Sequence, residues 1–370
     1  MEKIRVLHII TGGIHREGIS STQLAFFRNI DTSIFEIYVA AVHNDDCQMI
    51  EEFQRVGCKV IVFEDRKKHT INYFFQLVLK LNELKPQIVH VHGSSAIMSI
   101  ELLASKLAHV KVRIAHSRNT KADQIRSDKI LRPLFNHLYT YGLACGEDAG
   151  KWLFGNKPFT IIHNGKDFEK FKFCEFTRQR VRKQYHFDEK TIIGHVGRFN
   201  FQKNHEYLIK IFYEYQKKHP ETILYLMGDG PLKSDIEKLV DCLNIREKVI
   251  FAGSVDNVPE RLQAMDIMLF PSRFEGLPNV VLEWQAVGLP CIISNYITKE
   301  CAPSELVEFE SINESPEKWI KHINTLLNKF NDRYKQSEAG RFALKQEGFD
   351  IKDSCKKLED IYINLIKCSK

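Results

Sequence analysis

Glu275 and Glu283 bracket a stretch whose residue types and spacing could do chemistry: Phe274-Glu275-Gly276-Leu277-Pro278-Asn279-Val280-Val281-Leu282-Glu283. A strand over Ile267–Phe270, a Gly/Pro loop and a helix opening at about Pro278 or Asn279 leave the first N–H groups of that helix, near Asn279 and Val280, without intrahelical partners. Glu283 then sits about one turn into the helix, roughly 6 Å along its axis. One carboxylate could meet a sugar at the helix N-terminus while the other takes a ribose diol alongside. A helix-capping Glu275 and a surface Glu283 fit the same spacing.

Two cations stand at an equivalent place earlier in the chain. Gly197-Arg198 ends an apolar run, and Lys203 follows in Phe199-Asn200-Phe201-Gln202-Lys203-Asn204-His205, just before a helix. There Arg198 and Lys203 could pair a diphosphate through charge-assisted bonds, although solvated surface charge is the plain reading of any lone Arg/Lys pair. The first turn, Ile10-Thr11-Gly12-Gly13-Ile14, with Ser20 and Ser21 as N-caps of the next helix, could bring backbone N–H groups to a phosphate. It is not G-x-G-x-x-G, and Val42 is followed by His43-Asn44 rather than an acidic residue, so a dinucleotide site is disfavoured. A turn that serves geometry alone remains the other reading. His90 and His92 alternate to one side of a strand, as metal ligands can, but no third ligand is recognisable nearby. With no Asp-x-Asp triplet in the chain, no metal or other cofactor is expected, and Arg198 and Lys203 would supply the positive charge instead.

These residues need sheets to hold them. Short β-branched runs alternate with helical periods, the pattern of βα units around parallel sheets. The spacing predicts strands at Ile4–Ile10, Phe35–Val42, Lys59–Phe63, Ile88–His92, Lys111–Ala115, Tyr141–Cys145 and Thr160–His163. A second set follows at Thr191–Val196, Ile223–Met227, Lys248–Ala252, Ile267–Phe270 and Cys291–Ser294. Ile71, Phe74, Phe75, Val78 and Leu81 mark one helix face. Asn164-Gly165 and the charged, phenylalanine-rich stretch Lys166 to Arg182 read as the connection between two doubly wound domains. The expected division is 1–167, joined by a helix at about 352–370, and 168–351. Two such domains put a cleft between them, lined by the carboxyl ends of both sheets. In the tail, Leu358, Ile361 and Leu365 are expected to pack on N-terminal residues.

The 370-residue chain has 53 Lys+Arg against 47 Asp+Glu, a surplus of +6, with 44% hydrophobic and 27% charged residues. That is a soluble, globular composition with no apolar run near the roughly 18 residues of a spanning helix. No secretory signal is recognisable, and nine cysteines without a C-x-x-C pair suggest neither a disulfide framework nor a zinc knuckle, so a reducing cytoplasm is expected. Between Lys106 and Arg132 stand Lys106, Lys111, Arg113, Arg118, Lys121, Arg126, Lys129 and Arg132 against only Asp123 and Asp128. This one segment matches the whole surplus. A near-neutral second half and the absence of nucleic-acid-reading motifs exclude a nucleic-acid partner.

Phe274-Glu275-Gly276-Leu277-Pro278 through Leu282-Glu283 resembles the Glu-x7-Glu motif of the GT-B fold family 4 glycosyltransferases. Gly197-Arg198 with Lys203, the Gly12-Gly13 turn and Asn164-Gly165-Lys166-Asp167 resemble that family's other landmarks, in order and over nearly the full chain. Ile114-Ala115-His116-Ser117 and Glu283-Trp284-Gln285-Ala286 are most similar to bacterial exopolysaccharide and capsule enzymes. The resemblance implies an α/β fold of two Rossmann-like domains facing a central cleft, with the C-terminal helix returning to the first. The first domain would bind the acceptor and the second the nucleotide-sugar donor.

It also implies roles for particular residues. Glu275 and His116 would act at the donor sugar, His116 lying just after its strand, and Glu283 would hold the ribose. Arg198 and Lys203 would hold the diphosphate, with Gly12, Gly13, Leu277, Asn279 and Val280 beside it. Gly228, in Leu226-Met227-Gly228-Asp229-Gly230-Pro231, and Val255, in Gly253-Ser254-Val255, would line the base. His163, Lys166 and Trp284 depart from the family pattern. The implied activity is retaining, metal-independent transfer from a nucleotide-diphosphate sugar, UDP-linked, to a polyprenyl-diphosphate-linked or growing glycan. His116 would be the first candidate base if the reaction inverted instead. A non-catalytic GT-B partner subunit and a sugar-nucleotide epimerase are the alternatives. Lys106 to Arg132 would then face an anionic membrane, making the protein peripheral at the inner face.

Overall fold

The computed structural model describes residues 3–15, 18–43, 45–119 and 124–369. Seven apolar runs of the first half form β1 (Ile4–Ile10), β2 (Phe35–Ala41), β3 (Lys59–Val62), β4 (Ile88–Gly93), β5 (Val112–Ser117), β6 (Tyr141–Ala144) and β7 (Thr160–Ile161). They pair in parallel in the order β3-β2-β1-β4-β5-β6-β7. The winding direction reverses between β1 and β4, and at such a point the loops leaving the carboxyl ends diverge to open a crevice.

The second half supplies β8 (Thr191–Val196), β9 (Thr222–Met227), β10 (Val249–Gly253), β11 (Ile267–Phe270), β12 (Cys291–Ser294) and β13 (Val307–Glu310). These too are parallel, in the order β10-β9-β8-β11-β12-β13, with the reversal between β8 and β11. The strands β4, β9, β11 and β12 are buried along their whole length, which is why β9, β11 and β12 read as largely continuous apolar runs, while β4 alternates two buried histidines with its valines. β13 was not legible as a strand because Val-Glu-Phe-Glu reads as an exposed edge.

The chain divides into two compact units, Met1–Lys166 with Gly348–Lys370, and Asp167–Glu347. Most of the stretch read as a connection, Lys166 to Arg182, is therefore structure of the second unit: a turn of 3-10 helix (Phe168–Phe171) and a helix (Glu175–Gln184). Its phenylalanines show no strand period because Phe168, Phe171 and Phe173 are buried around these short elements. The return to the first unit comes at Gly348, not after residue 351. Lys166 N–H donates to the Phe349 carbonyl and Ile351 N–H to that of Lys166, 2.8 and 3.0 Å.

From there the helix Ile351–Ser369 lies on one face of the first sheet. Leu358 and Tyr362 are buried with Val6, Phe26, Phe35 and Ile114, and Ile361 and Leu365 pack against the same cluster. Leu358→Ala should lower the unfolding free energy by about 2–3 kcal/mol. Denaturant titration checks this, and no change would mean the helix is not part of that core. The other face is covered in part by the helix Thr70–Leu84, which buries Tyr73, Leu77, Leu81 and Leu84. Of the face expected from Ile71, Phe74, Phe75, Val78 and Leu81, Leu81 is buried and Phe74 and Val78 pack against the same cluster, while Ile71 and Phe75 are the correction. The helix is apolar on both sides, and Ile71 and Phe75 point outward, 75% and 59% exposed. No helix among the described residues is long and apolar enough to cross a membrane.

Candidate active site

In the second unit, the loops leaving β8 and β11 are stitched together. Arg273 N–H donates to the Gln202 carbonyl, Asn204 Nδ2 to the Pro271 carbonyl and the Arg273 guanidinium to Asn204 Oδ1. Asn204 adopts a left-handed backbone (φ 56°), tolerated by its short polar side chain, which turns the chain into the helix His205–Gln216. The stitching brings Lys203 onto Glu275. Lys203 Nζ lies 2.7 Å from Glu275 Oε1 and 4.5 Å from the centre of the Phe270 ring, while Gln202 Nε2 donates to Glu275 Oε2 at 2.9 Å. Two side chains proposed from separate motifs thus form one largely buried ion pair, with Gln202 a third member that spacing gave no reason to choose. Arg198, by contrast, is exposed and has no ion-pair partner among the described residues.

The helix Asn279–Ala286 opens beside this pair with Pro278 at its N-cap and no side-chain cap, so its Asn279 and Val280 N–H groups lie within the uncapped first turn. Around it, Ser272 Oγ, Asn279 Oδ1 and His195 Nε2 are buried polar atoms without a hydrogen-bond partner among the described residues. His195 stays neutral: burial, opposed by its bond to the Leu269 carbonyl and aided by the Lys203 charge, brings it down to about 4. Glu283 is half-buried on the second turn of the helix, and Leu277 is half-buried in the loop before it. Trp284 is fully buried edge-on against Phe270, 5.3 Å between centroids, so it serves to pack the helix onto β11. Val255 is half-buried in the loop leaving β10. Gly228 has φ +140°, and a Cβ there would come within 2.1 Å of the Gly197 carbonyl oxygen.

The first unit is different in kind. Gly13 is held at φ +91°, where a Cβ would meet the His43 carbonyl at 2.6 Å. Its N–H donates to the Ile10 carbonyl, and the next N–H, of Ile14, goes to the Asp45 carboxylate. The turn thus bonds the Gly13 and Ile14 amides internally rather than leaving them open. Ser20 is no N-cap either: the helix Ile19–Phe27 starts before it, and its Oγ accepts from His15 N–H. Arg16, Glu17 and Asn44 lie outside the described residues. His116 is not beyond a strand but within β5, 1% exposed, because the strand runs two residues further than its apolar run suggests. Nδ1 of His116 is 3.0 Å from His90 Nε2, and its Nε2 has no partner among the described residues.

The third histidine that the sequence did not reveal is His8. Nitrogens of His8, His90 and His92 lie within 4.8 Å of one another, all three side chains fully buried. In-register pairing of His8 with His90 across β1 and β4 makes this so. Parallel register could have exposed the signal, but only with the strand order known.

Residues 177–342 match the family model "Glycosyl transferases group 1". EpsF of Bacillus subtilis, named as a glycosyltransferase, is 32% identical over 334 residues, 86% of each chain. The chain belongs to the group 1 glycosyltransferases. The UDP-Gal:alpha-D-GlcNAc-diphosphoundecaprenol alpha-1,3-galactosyltransferase of Escherichia coli is 26% identical to this glycosyltransferase over 307 residues, 77% of each chain. Anabaena HepE, solved in complex with UDP, shares its fold with a TM-score of 0.80 and 16% identity, over 97% of this chain and all of that one. The fold of this group 1 enzyme is GT-B.

In this glycosyltransferase Gly228→Ala forces the Gly197-Arg198 turn to move. Loss of about 3 kcal/mol of stability is expected, read by urea unfolding, and an unchanged midpoint would show that the turn yields freely.

Proposed function

We propose that this glycosyltransferase moves a sugar from a UDP-linked donor to a hydroxyl of a lipid-diphosphate-linked or growing glycan in bacterial exopolysaccharide or capsule assembly, with retention and without a metal ion. The reading rests above all on one observation: Lys203, Glu275 and Gln202 gathered at the uncapped start of the helix Asn279–Ala286, at the point where β8 and β11 diverge. A cation, free backbone donors and a carboxylate suit a sugar diphosphate, with positive charge for the leaving group and an acceptor for sugar hydroxyls. Catalysis then consists of holding donor and acceptor together and stabilising the departing diphosphate, and same-face attack asks for no dedicated base. The first-unit side binds the acceptor in this reading. UDP in the HepE crystals and the diphosphoundecaprenol substrate in the name of the Escherichia coli relative support the choice of donor and acceptor class.

A panel of nucleotide sugars assayed for nucleotide release, with a polyprenyl-diphosphate disaccharide as acceptor and EDTA present, tests it. The product from an α-linked donor should be α-linked by NMR. A β-linked product would refute retention, and activity that vanishes in EDTA would refute metal independence. Sugar interconversion without acceptor would instead favour an epimerase, and failure to bind any donor a non-catalytic subunit.

Membrane contact is proposed for a narrower surface than the basic segment. Arg113 and Arg132 are tied to backbone carbonyls of their own unit, Arg118 to His92 and Asn164, and Lys121 and Asp123 lie outside the described residues. Lys111 reaches the Ser369 carbonyl and Lys106 is the single cation of its helix, near its end. That leaves the helix Ile125–Leu138, with Arg126 and Lys129 beside Ile130, 78% exposed, and Leu134, as the place where more than one exposed basic group adjoins exposed apolar ones among the described residues of the segment. Each basic group near an anionic surface contributes about 1 kcal/mol. Sedimentation with phosphatidylglycerol vesicles should exceed that with neutral ones, and equal binding would remove the role.

A further inference from the structure

Four buried histidines, one tyrosine and one arginine of the first unit form a single hydrogen-bonded chain. The Arg118 guanidinium contacts His92 Nδ1 through NH2 at 3.1 Å and through Nε at 3.3 Å. His92 Nε2 is 3.0 Å from His8 Nδ1, His8 Nε2 is 3.3 Å from the Tyr362 hydroxyl, and that hydroxyl is 2.5 Å from His90 Nδ1. His90 Nε2 then meets His116 Nδ1 at 3.0 Å, and the chain stops at His116 Nε2, buried and without a partner among the described residues.

Polarity along this chain is fixed at one end. A guanidinium has only donors, so His92 Nδ1 must accept and its proton sits on Nε2. That proton occupies His8 Nδ1, which places the His8 proton on Nε2 and makes the Tyr362 oxygen an acceptor there. Tyr362 must then turn its own proton to His90 Nδ1, and His90 Nε2–H donates to His116 Nδ1. Burial, with Arg118 and the neighbouring rings acting the same way, holds His8 down to about 3 and the other three below their usual range. The rings are neutral at pH 7, each with one proton to place.

We propose that Arg118 and Tyr362 are positioning residues that lock His116 in the Nε2–H form, so that it offers a hydrogen-bond donor, and no lone pair, to an oxygen of a substrate bound by the first unit. This rests on the proposed function for the identity of that oxygen only. It removes His116 as a proton acceptor and gives the C-terminal helix, which carries Tyr362, a part in setting the site. A metal ion does not suit the same rings. Both nitrogens of His8, His90 and His92 are engaged in the chain, no carboxylate belongs to it, and a guanidinium lies alongside.

Histidine-labelled full-length protein, without donor or acceptor, reports each tautomer by long-range proton–nitrogen NMR. All four rings should carry the proton on Nε2. Tyr362→Phe interrupts the chain midway, so His90 and His116 should lose their single form while His92 and His8 keep theirs. Arg118→Gln, whose amide can accept as well as donate, should release all four. Both variants should lower kcat for sugar transfer about 10- to 100-fold with the donor KM little changed, as for outer-shell partners elsewhere. An Nδ1–H His116 in the parent protein, or a Tyr362→Phe protein with unaltered tautomers, overturns the chain. Altered tautomers with full kcat overturn the role of His116 as donor. Because the tautomers are read with no substrate present, failure of the sugar-transfer reading would leave that result standing, and failure of the chain would leave transfer standing.

Discussion

If the donor is UDP-linked as proposed, replacing Lys203 with alanine should weaken UDP binding by about 1.5–3 kcal/mol, the value of a hydrogen bond to a charged group and roughly a 10- to 150-fold rise in Kd. The geometry sharpens this expectation. Lys203 already neutralises Glu275 at 2.7 Å, with both side chains largely buried, so the variant leaves an unbalanced carboxylate beside the proposed site, in addition to any diphosphate contact it removes. A double-mutant cycle separates the two effects. If Lys203 acts only by neutralising Glu275, then adding Glu275→Gln restores UDP binding. If it touches the diphosphate, the double variant stays weak. Isothermal titration with UDP reads both, and an unchanged Kd in Lys203→Ala would take this lysine out of the site.

Mild acid should destabilise the first unit before the second. In an unfolded chain a histidine titrates near 6.5, whereas burial first, and then the Arg118 charge, keeps folded His8 near 3. His90, His92 and His116 are lowered for the same leading reason. Above about pH 6.5 both states are neutral and the groups contribute nothing to pH dependence. Between there and the folded value, the unfolded chain takes up protons that the native chain refuses, so stability falls as pH falls, by about 1.4 kcal/mol per pH unit for each group. From pH 6.5 to 5 that is roughly 2 kcal/mol for His8, and His90, His92 and His116 act in the same direction. The second unit has His195, held near 4, and His205, held near 2 by burial and then by His195 and Lys203. Hydrogen exchange at pH 7, 6 and 5 distinguishes the units. Equal protection of the first sheet at pH 7 and 5 would mean that these rings protonate in place.

Much of this was legible in the chain itself because period and punctuation are local. β8 and β11 begin and end where their apolar runs do, and the helix after β11 opens at Asn279, as Pro278 suggests. The pairing of Lys203 with Glu275 was not legible, since it depends on Asn204 and Arg273 joining two loops about seventy residues apart. Nor was the outward face of the helix Thr70–Leu84, where apolar residues on both sides leave periodicity nothing to choose between. His116 was misplaced for a related reason: Ser117 extends β5 through its ladder with Gly93 and Ala144, and a polar serine hides that strand end. The Arg118 chain could not be read at all without knowing which strands are neighbours.

Order of synthesis gives the divided first unit a further consequence. Residues 348–369 leave the ribosome only after all of Asp167–Glu347, a contiguous stretch free to fold as it emerges. Until then the first sheet lacks the side chains of Leu358 and Tyr362, and an apolar face lined by Val6, Phe26, Phe35 and Ile114 stays uncovered. Nascent chains of this protein therefore present a sticky, incomplete unit upstream of a finished one, the condition in which a chaperone is needed most.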